Sequence, residues 1–227
     1  MLTFPNIDPV AVNIGPIAVH WYGIMYLCAF AMALGLGNLR AKLNDLPWSR
    51  QQINDLIFYA ALGVILGGKL GFILFYQVIP NFANFSDFNF WPIQVSLQDG
   101  IRGMSFHGGL IGVAVAVYLF AKKSHKTFFE VADFAAPLVP LGLAAGRIGN
   151  FINGELWGRP TEVAWGMIFP YAGDIPRHPS QLYEFFLEGI LLFIIVWSYA
   201  SKPRRPGSVG ALFLMGYAVC RVIVEVF

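Results

Sequence analysis

Long apolar stretches separated by short polar segments make up most of this chain. An apolar helix of about 20 residues is long enough to cross the hydrocarbon core of a bilayer. The pattern therefore predicts six membrane-spanning helices, at residues 18–39, 53–78, 104–121, 131–149, 184–200 and 209–227. Pro137 and Pro140 interrupt the fourth span. A bundle tolerates such prolines because neighbouring helices can satisfy the carbonyl groups that proline leaves free.

The expected fold is an all-α polytopic transmembrane helix bundle that forms a single domain over residues 1–227. Hydrophobic residues make up 57% of the chain and charged residues 12%, against about 25% charge in soluble domains. Such a chain has too little polar surface to coat a soluble globule, so lipid must be its solvent. No run of basic and aromatic residues indicates nucleic-acid binding.

The basic residues are distributed unevenly among the loops between the predicted spans. Nine of the fifteen lysines and arginines follow the first, third and fifth spans: Arg40, Lys42, Arg50, Lys122, Lys123, Lys126, Lys202, Arg204 and Arg205. The positive-inside rule places these loops in the cytoplasm. The N-terminus and the segments 79–103 and 150–183 then face outward. We expect 79–103 to be an amphipathic interfacial segment and 150–183 to form a small structured cap.

Three basic residues, Lys69, Arg147 and Arg221, remain at membrane depth. At about 1.5 Å per helical residue, Arg147 lies about 24 Å from the cytoplasmic start of its span and Arg221 about 18 Å. Charges at such depths are costly and tend to face a protein interior or a wet cavity. Other spans bring further polar residues to the same outer half of the membrane: Tyr26, His107 and Glu184.

Each of these residues also has a purely structural interpretation. Lys69 and Arg147 could extend to the outer interface, and His107 could bond a carbonyl in the core. Glu225 lies at i+4 from Arg221, the spacing of an ion pair within one helix. The glycines of GVILGGKLG, HGGLIG and PLGLAAGRIG are best explained by close helix packing. Cys28 and Cys220 lie in apolar stretches and are expected to be small buried hydrophobes.

As a group, the polar residues favour a different interpretation. Two guanidinium groups facing the outer leaflet suit a phosphate, because the planar fork binds phosphate oxygens with paired hydrogen bonds. The phosphate available at that depth belongs to a phospholipid, and a nearby His or Tyr could move a proton. The chain has no HExxH or GxSxG motif and no aspartate pair suited to a metal. We therefore expect chemistry on a phospholipid without a metal or cofactor.

Five segments resemble, in order and from end to end of the chain, the prolipoprotein diacylglyceryl transferase family. They are HWYGIMY (20–26), RGMSFHGGLIG (102–112), GRIGNFINGELWGRP (146–160), RHPSQLYE (177–184) and GYAVCRVIVE (216–225). A 15-residue motif rich in Asn, Gly, Trp and Arg is highly specific. The resemblance implies a seven-span enzyme of the bacterial plasma (inner) membrane, with its active site toward the outer leaflet.

The resemblance also implies a reaction and its residues. The diacylglyceryl group of phosphatidylglycerol moves to the lipobox cysteine thiol of a preprolipoprotein, which forms a thioether and releases glycerol phosphate in the first step of lipoprotein maturation. The implied catalytic residues are Tyr26, His107 and Arg221. The implied substrate-binding residues are Arg147, Asn150, Gly158, Glu155, Tyr217 and Glu225, with Arg147 as the phosphatidylglycerol-binding arginine. The general base stays open between His107 and Tyr26.

One departure from the family pattern is that the chain ends at Phe227, within the sixth predicted span. We therefore expect a further span to be missing. A transporter or flippase for an anionic lipid headgroup is the alternative function, since it would also need arginines in a cavity. An inverted repeat would support that alternative, but the sequence has no convincing internal similarity.

Overall fold

The computed structural model describes residues 2–5, 7–15, 17–78 and 104–227, and most of them are helical. The strands are β1 (Leu2–Thr3), β2 (Val10–Ile14), β3 (Ile17–His20) and β4 (Met167–Ile168). The helices are α1 (Trp21–Leu43), α2 (Arg50–Phe72), α3 (Phe106–Lys123), α4 (Phe128–Ala135), α5 (Val139–Ile152), α6 (Ser180–Glu184), α7 (Leu192–Ala200) and α8 (Ser208–Val224). The predicted interfacial segment 79–103 lies outside the described residues.

Five helical segments of the described chain are long and apolar enough to cross a membrane. They are Trp21–Leu43, Arg50–Phe75, Phe106–Lys123, Phe128–Ile152 and Ser180–Ala200. The sixth predicted span corresponds to α8, a shorter apolar helix of 17 residues. This pattern confirms a polytopic helical membrane protein.

Local capping explains why some helices begin at other residues than predicted. The hydroxyl of Ser49 accepts a hydrogen bond from the Gln52 amide (3.1 Å), and the Gln52 side chain accepts one from the Ser49 amide (3.0 Å). This capping box fixes the start of α2 at Arg50 rather than at 53. The Ser105 hydroxyl similarly accepts from Gly108 N–H and begins α3.

The prediction that the first span begins at residue 18 is wrong, because residues 18–20 belong to a β-hairpin. Strands β2 and β3 pair antiparallel across a turn at Gly15, which has a positive φ of 59°. Val12 pairs with Val19, and such β-branched cross-strand pairs stabilise a sheet. Strand β1 pairs parallel with β4. These two small sheets are the exceptions to the helical architecture within the described residues.

The chain divides into two compact units. The first comprises Met1–Pro47 and Ala132–Phe227, and the second Trp48–Val131. Two units are compatible with one membrane domain, and the single domain stays a prediction. The core of the first unit joins α7 and α8 to the turn before α5, through Ala136, Leu192, Val196, Ala200 and Val209.

The second unit is built on contact between the backbones of α2 and α3. A Cβ atom added at Gly63 would lie 2.6 Å from the carbonyl oxygen of Gly112, and one at Gly71 would lie 2.5 Å from Cα of Gly108. Side chains at these positions would push the helices apart. The prediction of close packing is therefore confirmed for these facing glycines. It fails for Gly146 of PLGLAAGRIG, where an added Cβ would meet nothing within 4 Å. Lys69, on the same helix, places Nζ 5.9 Å from the ring centroid of Phe72.

In the first unit, a polar group that we call the Arg40–Asp133 node lies where proline interrupts the Phe128–Ile152 segment. Pro137 has no N–H for the carbonyl of Asp133, and a 3₁₀ turn, Ala136–Leu138, replaces the α-helix there. Arg40 Nη1 donates to the carbonyls of Asp133 (3.0 Å) and Phe134 (2.8 Å). A neighbouring helix thus satisfies the freed carbonyls, as expected.

Arg40 was predicted to lie in a loop between two spans, and that prediction is wrong. It is the twentieth residue of the 23-residue helix α1 and is only 7% exposed. Its guanidinium also lies over the ring of Phe134, 5.2 Å from the centroid. The carboxylate of Asp133 completes the node, because its two oxygens accept from the Gly207 and Gly210 amides at 2.7 Å each. Asp133 thereby caps the N-terminus of α8.

Candidate active site

Arg147 lies near the C-terminal end of α5 and is held by two carboxylates of the next helical segment. Its Nη2 donates to Glu188 Oε2 at 3.3 Å, and its Nε lies 3.0 Å from Glu184 Oε2. Glu184 and Glu188 were too far away in sequence for their contact with Arg147 to be read from helical spacing.

Glu184 also binds the second arginine. Its Oε1 accepts from Arg221 Nη1, while Arg221 Nη2 donates to Glu225 Oε2 at 2.8 Å. The Arg221–Glu225 pair expected from i+4 spacing is therefore present. We call Arg147, Glu184, Glu188, Arg221 and Glu225 the arginine–glutamate cluster.

Three features of the backbone bring these side chains together. Glu184 ends α6, and a π-helical segment, Phe185–Leu191, continues the helix through Glu188. π-helical turns within helices are frequent at functional sites. The next residue, Gly189, faces α5 so closely that an added Cβ would lie 2.6 Å from Cβ of Ala144. This close approach allows the short side chain of Glu188 to reach Arg147 on the neighbouring helix.

The loop after α5 forms a second polar group beside the cluster. Glu155 Oε1 accepts from the side-chain amides of Asn150 (2.9 Å) and Asn153 (3.2 Å). The buried Gln181 side chain donates to the Glu155 carbonyl at 2.5 Å. Asn150 and Glu155, both implied by the resemblance, are thus joined directly, and Gln181 ties them to the helix that carries Glu184.

Gly158 lies where the same loop touches neighbouring backbone. Its N–H donates to the His178 carbonyl (2.9 Å), and its carbonyl accepts from Arg177 Nη1 (3.3 Å). A Cβ at this position would overlap Ser180 Oγ and lie 2.5 Å from the Phe227 carbonyl. Close packing therefore explains a glycine here, and a role in substrate binding stays a prediction.

The segment predicted to be a structured cap, 150–183, is ordered around the buried ring of Phe169. Phe4 (5.3 Å between centroids), Trp157 (6.1 Å) and Phe151 (6.4 Å) surround that ring. Isolated bridges from Arg177 to Pro160 and Met167 hold the loop to itself. That this segment faces outward stays a prediction.

The structure brings Tyr217 to the cluster, and it describes Tyr26 and His107 through contacts within their own units. Tyr217 lies on α8, one turn before Arg221. Tyr26 contacts Tyr22 (5.2 Å between centroids), whose ring packs against Gly149, the neighbour of Asn150. His107 belongs to the second unit, where it is exposed and its ring lies 5.7 Å from that of Phe106.

The cluster combines buried acids with partly exposed bases. The Glu188 side chain is fully buried and that of Glu184 is 5% exposed, whereas Arg147 is 19% and Arg221 43% exposed. Arg147 Nη1 has no hydrogen-bond partner among the described residues. The acids thus hold the inner edges of the guanidiniums and leave other N–H groups free to bind an anionic group.

Reasoning from sequence missed Glu188 altogether and gave Glu184 no site role. Both are acidic residues in an otherwise apolar span, and intramembrane acids mark function by default. That observation was available for Glu188, which is flanked by Leu187 and Gly189. The contact of Glu188 with Arg147 depends on helix rotation, which the sequence pattern does not give.

The fold and the cluster together define a multi-pass membrane protein with a polar site among its helices. A model of the prolipoprotein diacylglyceryl transferase family matches residues 9–227. Two Legionella pneumophila proteins, of the strains Lens and Philadelphia 1, are each 60% identical over 228 residues, covering 100% of this chain and 86% of theirs. A Coxiella burnetii protein (strain RSA 331) is 56% identical over 227 residues, covering 100% of this chain and 84% of its own.

All three relatives are named phosphatidylglycerol–prolipoprotein diacylglyceryl transferase. This chain belongs to the prolipoprotein diacylglyceryl transferase family and is a transferase. The resemblance carried by the five sequence segments is confirmed.

Proposed function

We propose that this protein transfers the diacylglyceryl group of phosphatidylglycerol to the lipobox cysteine of a preprolipoprotein. The thiolate sulfur attacks the glycerol carbon that bears the phosphate ester, so a carbon–sulfur bond forms and the carbon–oxygen bond breaks. The bonding electrons leave with the oxygen, and glycerol phosphate departs. The thiol proton passes to a base of the protein.

The observation that carries the proposal is the pair of partly exposed arginines fixed by buried carboxylates. Negative charge grows on the leaving phosphate in the transition state. Cations held in place beside it, with water excluded, stabilise that charge far better than bulk solvent does. We assign this work to Arg147 and Arg221, which are anchored from two helical segments, Ser180–Ala200 and α8, through Glu184, Glu188 and Glu225.

The other proposed site residues support this pair. Asn150 and Glu155 shape the loop beside Arg147, Gly158 lets that loop approach its neighbours, and Tyr217 lies one turn from Arg221. We propose that they line the lipid site. No metal or cofactor takes part in the proposed step.

Mass spectrometry tests the transfer directly. A lipobox peptide is incubated with the purified protein and phosphatidylglycerol in mixed micelles. The expected result is a mass gain of one diacylglyceryl group on the cysteine, with release of glycerol phosphate. A peptide with serine in place of that cysteine is the control. The flippase alternative would be favoured by an unmodified peptide together with protein-dependent movement of labelled lipid between vesicle leaflets. The names of the reported relatives do not support that alternative.

The base is tested by a pH profile. The thiolate is the nucleophile, and a free cysteine thiol is mostly protonated at neutral pH. We assign His107 as the base, with Tyr26 as the second candidate. His107→Gln should lower the rate at pH 7 by about 10²–10⁴-fold, and raising the pH should recover much of the loss. Tyr26→Phe is the parallel variant. An unchanged profile in His107→Gln would assign that residue to positioning or packing.

We also propose that the protein lies in the bacterial plasma membrane with the cluster toward the outer leaflet. The loops rich in lysine and arginine favour that orientation. Cysteines introduced at single positions in 44–49, 122–126 and 202–206, in a background lacking Cys28 and Cys220, should react only after the membrane is permeabilised. Cysteines in 159–175 should react in intact cells. Reversed labelling of one basic loop would contradict the orientation.

A further inference from the structure

The fully buried Glu188 carboxylate is the least expected member of the arginine–glutamate cluster. With Glu184 and Glu225, it makes three carboxylates against two arginines. Its Oε1 is buried without a hydrogen-bond partner, 4.0 Å from Arg221 Nη1. Burying a carboxylate is costly, and buried ion pairs often add little net stability. Glu188 therefore calls for an explanation other than stability.

The simplest electrostatic expectation is that Glu188 opposes the proposed function. A third carboxylate lowers the positive potential that two arginines offer to a phosphate. If electrostatic attraction alone decided binding, removing the charge of Glu188 would make the protein bind the lipid phosphate more tightly. The geometry indicates a different role, because Glu188 contacts Arg147 at the inner edge of the guanidinium.

The contacts divide the Arg147 guanidinium into a held edge and a free end. Glu184 lies 3.0 Å from Nε and Glu188 accepts from Nη2 at 3.3 Å, so two points fix the plane of the group. Nη1 has no partner among the described residues. With Glu184 alone, the guanidinium would be held at one point and could rotate about it.

We infer that Glu188 is a positioning residue, which fixes the Arg147 guanidinium so that its free end meets the phosphate of the transition state. This inference rests on the proposed function. Being fully buried, Glu188 acts through Arg147 and does not touch the substrate. A misplaced charge stabilises the transition state less, while the flexible ground-state lipid can adjust to it. Loss of Glu188 should therefore lower kcat more than it raises KM.

The first variant is Glu188→Gln, which keeps the shape of the side chain and removes its charge. We expect kcat to fall by about 10- to 100-fold with KM nearly unchanged. Glu188→Asp keeps the charge but is one methylene shorter, so it should not restore kcat. Asp133→Asn is the matched control, since it removes the charge of a half-buried carboxylate at the opposite end of the Phe128–Ile152 segment, which carries Arg147. It should leave kcat unchanged in the folded fraction.

A second variant keeps the inference testable if Glu188→Gln does not fold. Gly189→Ala retains every charge of the cluster but separates the π-helical segment from Ala144 of α5. It should lower kcat in the same way. Gly142→Ala is its control, because the added Cβ would meet Ala29 of α1 at an ordinary contact distance of 3.5 Å.

The outcomes separate this inference from the proposed function. An unchanged kcat, a lowered KM or a purely raised KM in folded Glu188→Gln overturns the positioning role, while the wild type still transfers lipid. If Glu188→Gln does not fold, a wild-type kcat in Gly189→Ala overturns the positioning role. Absence of transfer by the wild type under all micelle compositions overturns the proposed function and this inference with it.

Discussion

Two polar groups lie at opposite ends of the same two helical segments, Phe128–Ile152 and α8, and they use their hydrogen bonds differently. In the Arg40–Asp133 node, one buried arginine binds two backbone carbonyls, and both oxygens of one carboxylate accept backbone amides. Arg40 Nε is buried there without a hydrogen-bond partner. In the arginine–glutamate cluster, two arginines are partly exposed, and Glu184 Oε2 and Glu188 Oε1 are buried without hydrogen bonds.

The comparison shows how a charged group with a structural role, the node, differs in this membrane protein from one with a proposed functional role, the cluster. The node satisfies backbone groups that the proline and the start of α8 leave without partners, and both oxygens of its carboxylate accept hydrogen bonds. In the cluster, by contrast, some charged atoms make no hydrogen bond within the described residues, and the side chains of both arginines are partly exposed. Buried charge is costly in both places. In the node this cost is offset by hydrogen bonds to otherwise unpaired backbone groups, and the cluster makes no such bonds to the backbone of the described chain.

The largest effect is expected for Arg147→Ala. Removing one preorganised donor to a developing anion typically costs 10²–10³-fold in rate, so we expect a loss of at least about 10²-fold with folding retained. Arg147→Lys should restore only part of the rate, because an ammonium lacks the planar fork. Transfer of diacylglycerol to the lipobox peptide is the measurement. A near-normal rate in the alanine variant would place the functional arginine elsewhere.

The next effect is on stability and comes from the other end of the segment. Arg40→Met keeps an unbranched apolar stem but leaves the carbonyls of Asp133 and Phe134 without their donor. Unsatisfied buried groups cost about 1–3 kcal/mol each, and partial relaxation should keep the total near that range. Thermal unfolding in detergent should show a lower midpoint. The kcat of the protein that remains folded should equal that of the wild type, and a selective loss of kcat would give the node a functional role.

A smaller loss of stability is expected for Asp133→Asn. The variant keeps one acceptor for the N-terminus of α8 and loses the charge that favours the helix dipole. The expected cost is about 0.5–2 kcal/mol. Thermal unfolding at low and high salt measures it, and Glu130→Gln on the exposed side of α4 is a control for a nearby carboxylate. A variant as stable as the wild type would show that Asp133 does not cap α8 in solution.

The sequence predicted those parts of both groups that depend on position along a helix. Counting residues from the start of each span brought Arg147 and Arg221 to similar depth, and i+4 spacing predicted the Arg221–Glu225 pair. The proline positions predicted that a neighbouring helix would supply a donor. Each of these inferences uses only the rise and period of one helix, which vary little between proteins.

The remaining contacts depend on the rotation and separation of neighbouring helices, which the sequence pattern does not give. Glu188 reaches Arg147 because Gly189 allows close approach to Ala144. Arg40 points into the protein, although it lies at the end of its span, where a snorkelling side chain is the usual expectation. The N-terminal hairpin was missed because its β-branched residues run without a break into the apolar first span.

The smallest effect is expected for Glu225→Gln. This variant removes the partner of Arg221 that the sequence predicted and keeps Glu184, the partner that only the structure shows. Glu225 is the partner that i+4 spacing gives to Arg221, but its side chain is 65% exposed. Exposed pairs of this kind contribute about 0.2–0.5 kcal/mol. Arg221 remains bound to the buried Glu184 in this variant, so the guanidinium should stay in place. We expect a loss of rate of roughly twofold, in line with so weak a pair, and the loss should shrink further as salt is added. Glu184→Gln is the matched comparison, since it removes the carboxylate that both arginines share, and its rate should fall far more. Equal losses in the two variants would mean that the exposed acid holds Arg221 as firmly as the buried one.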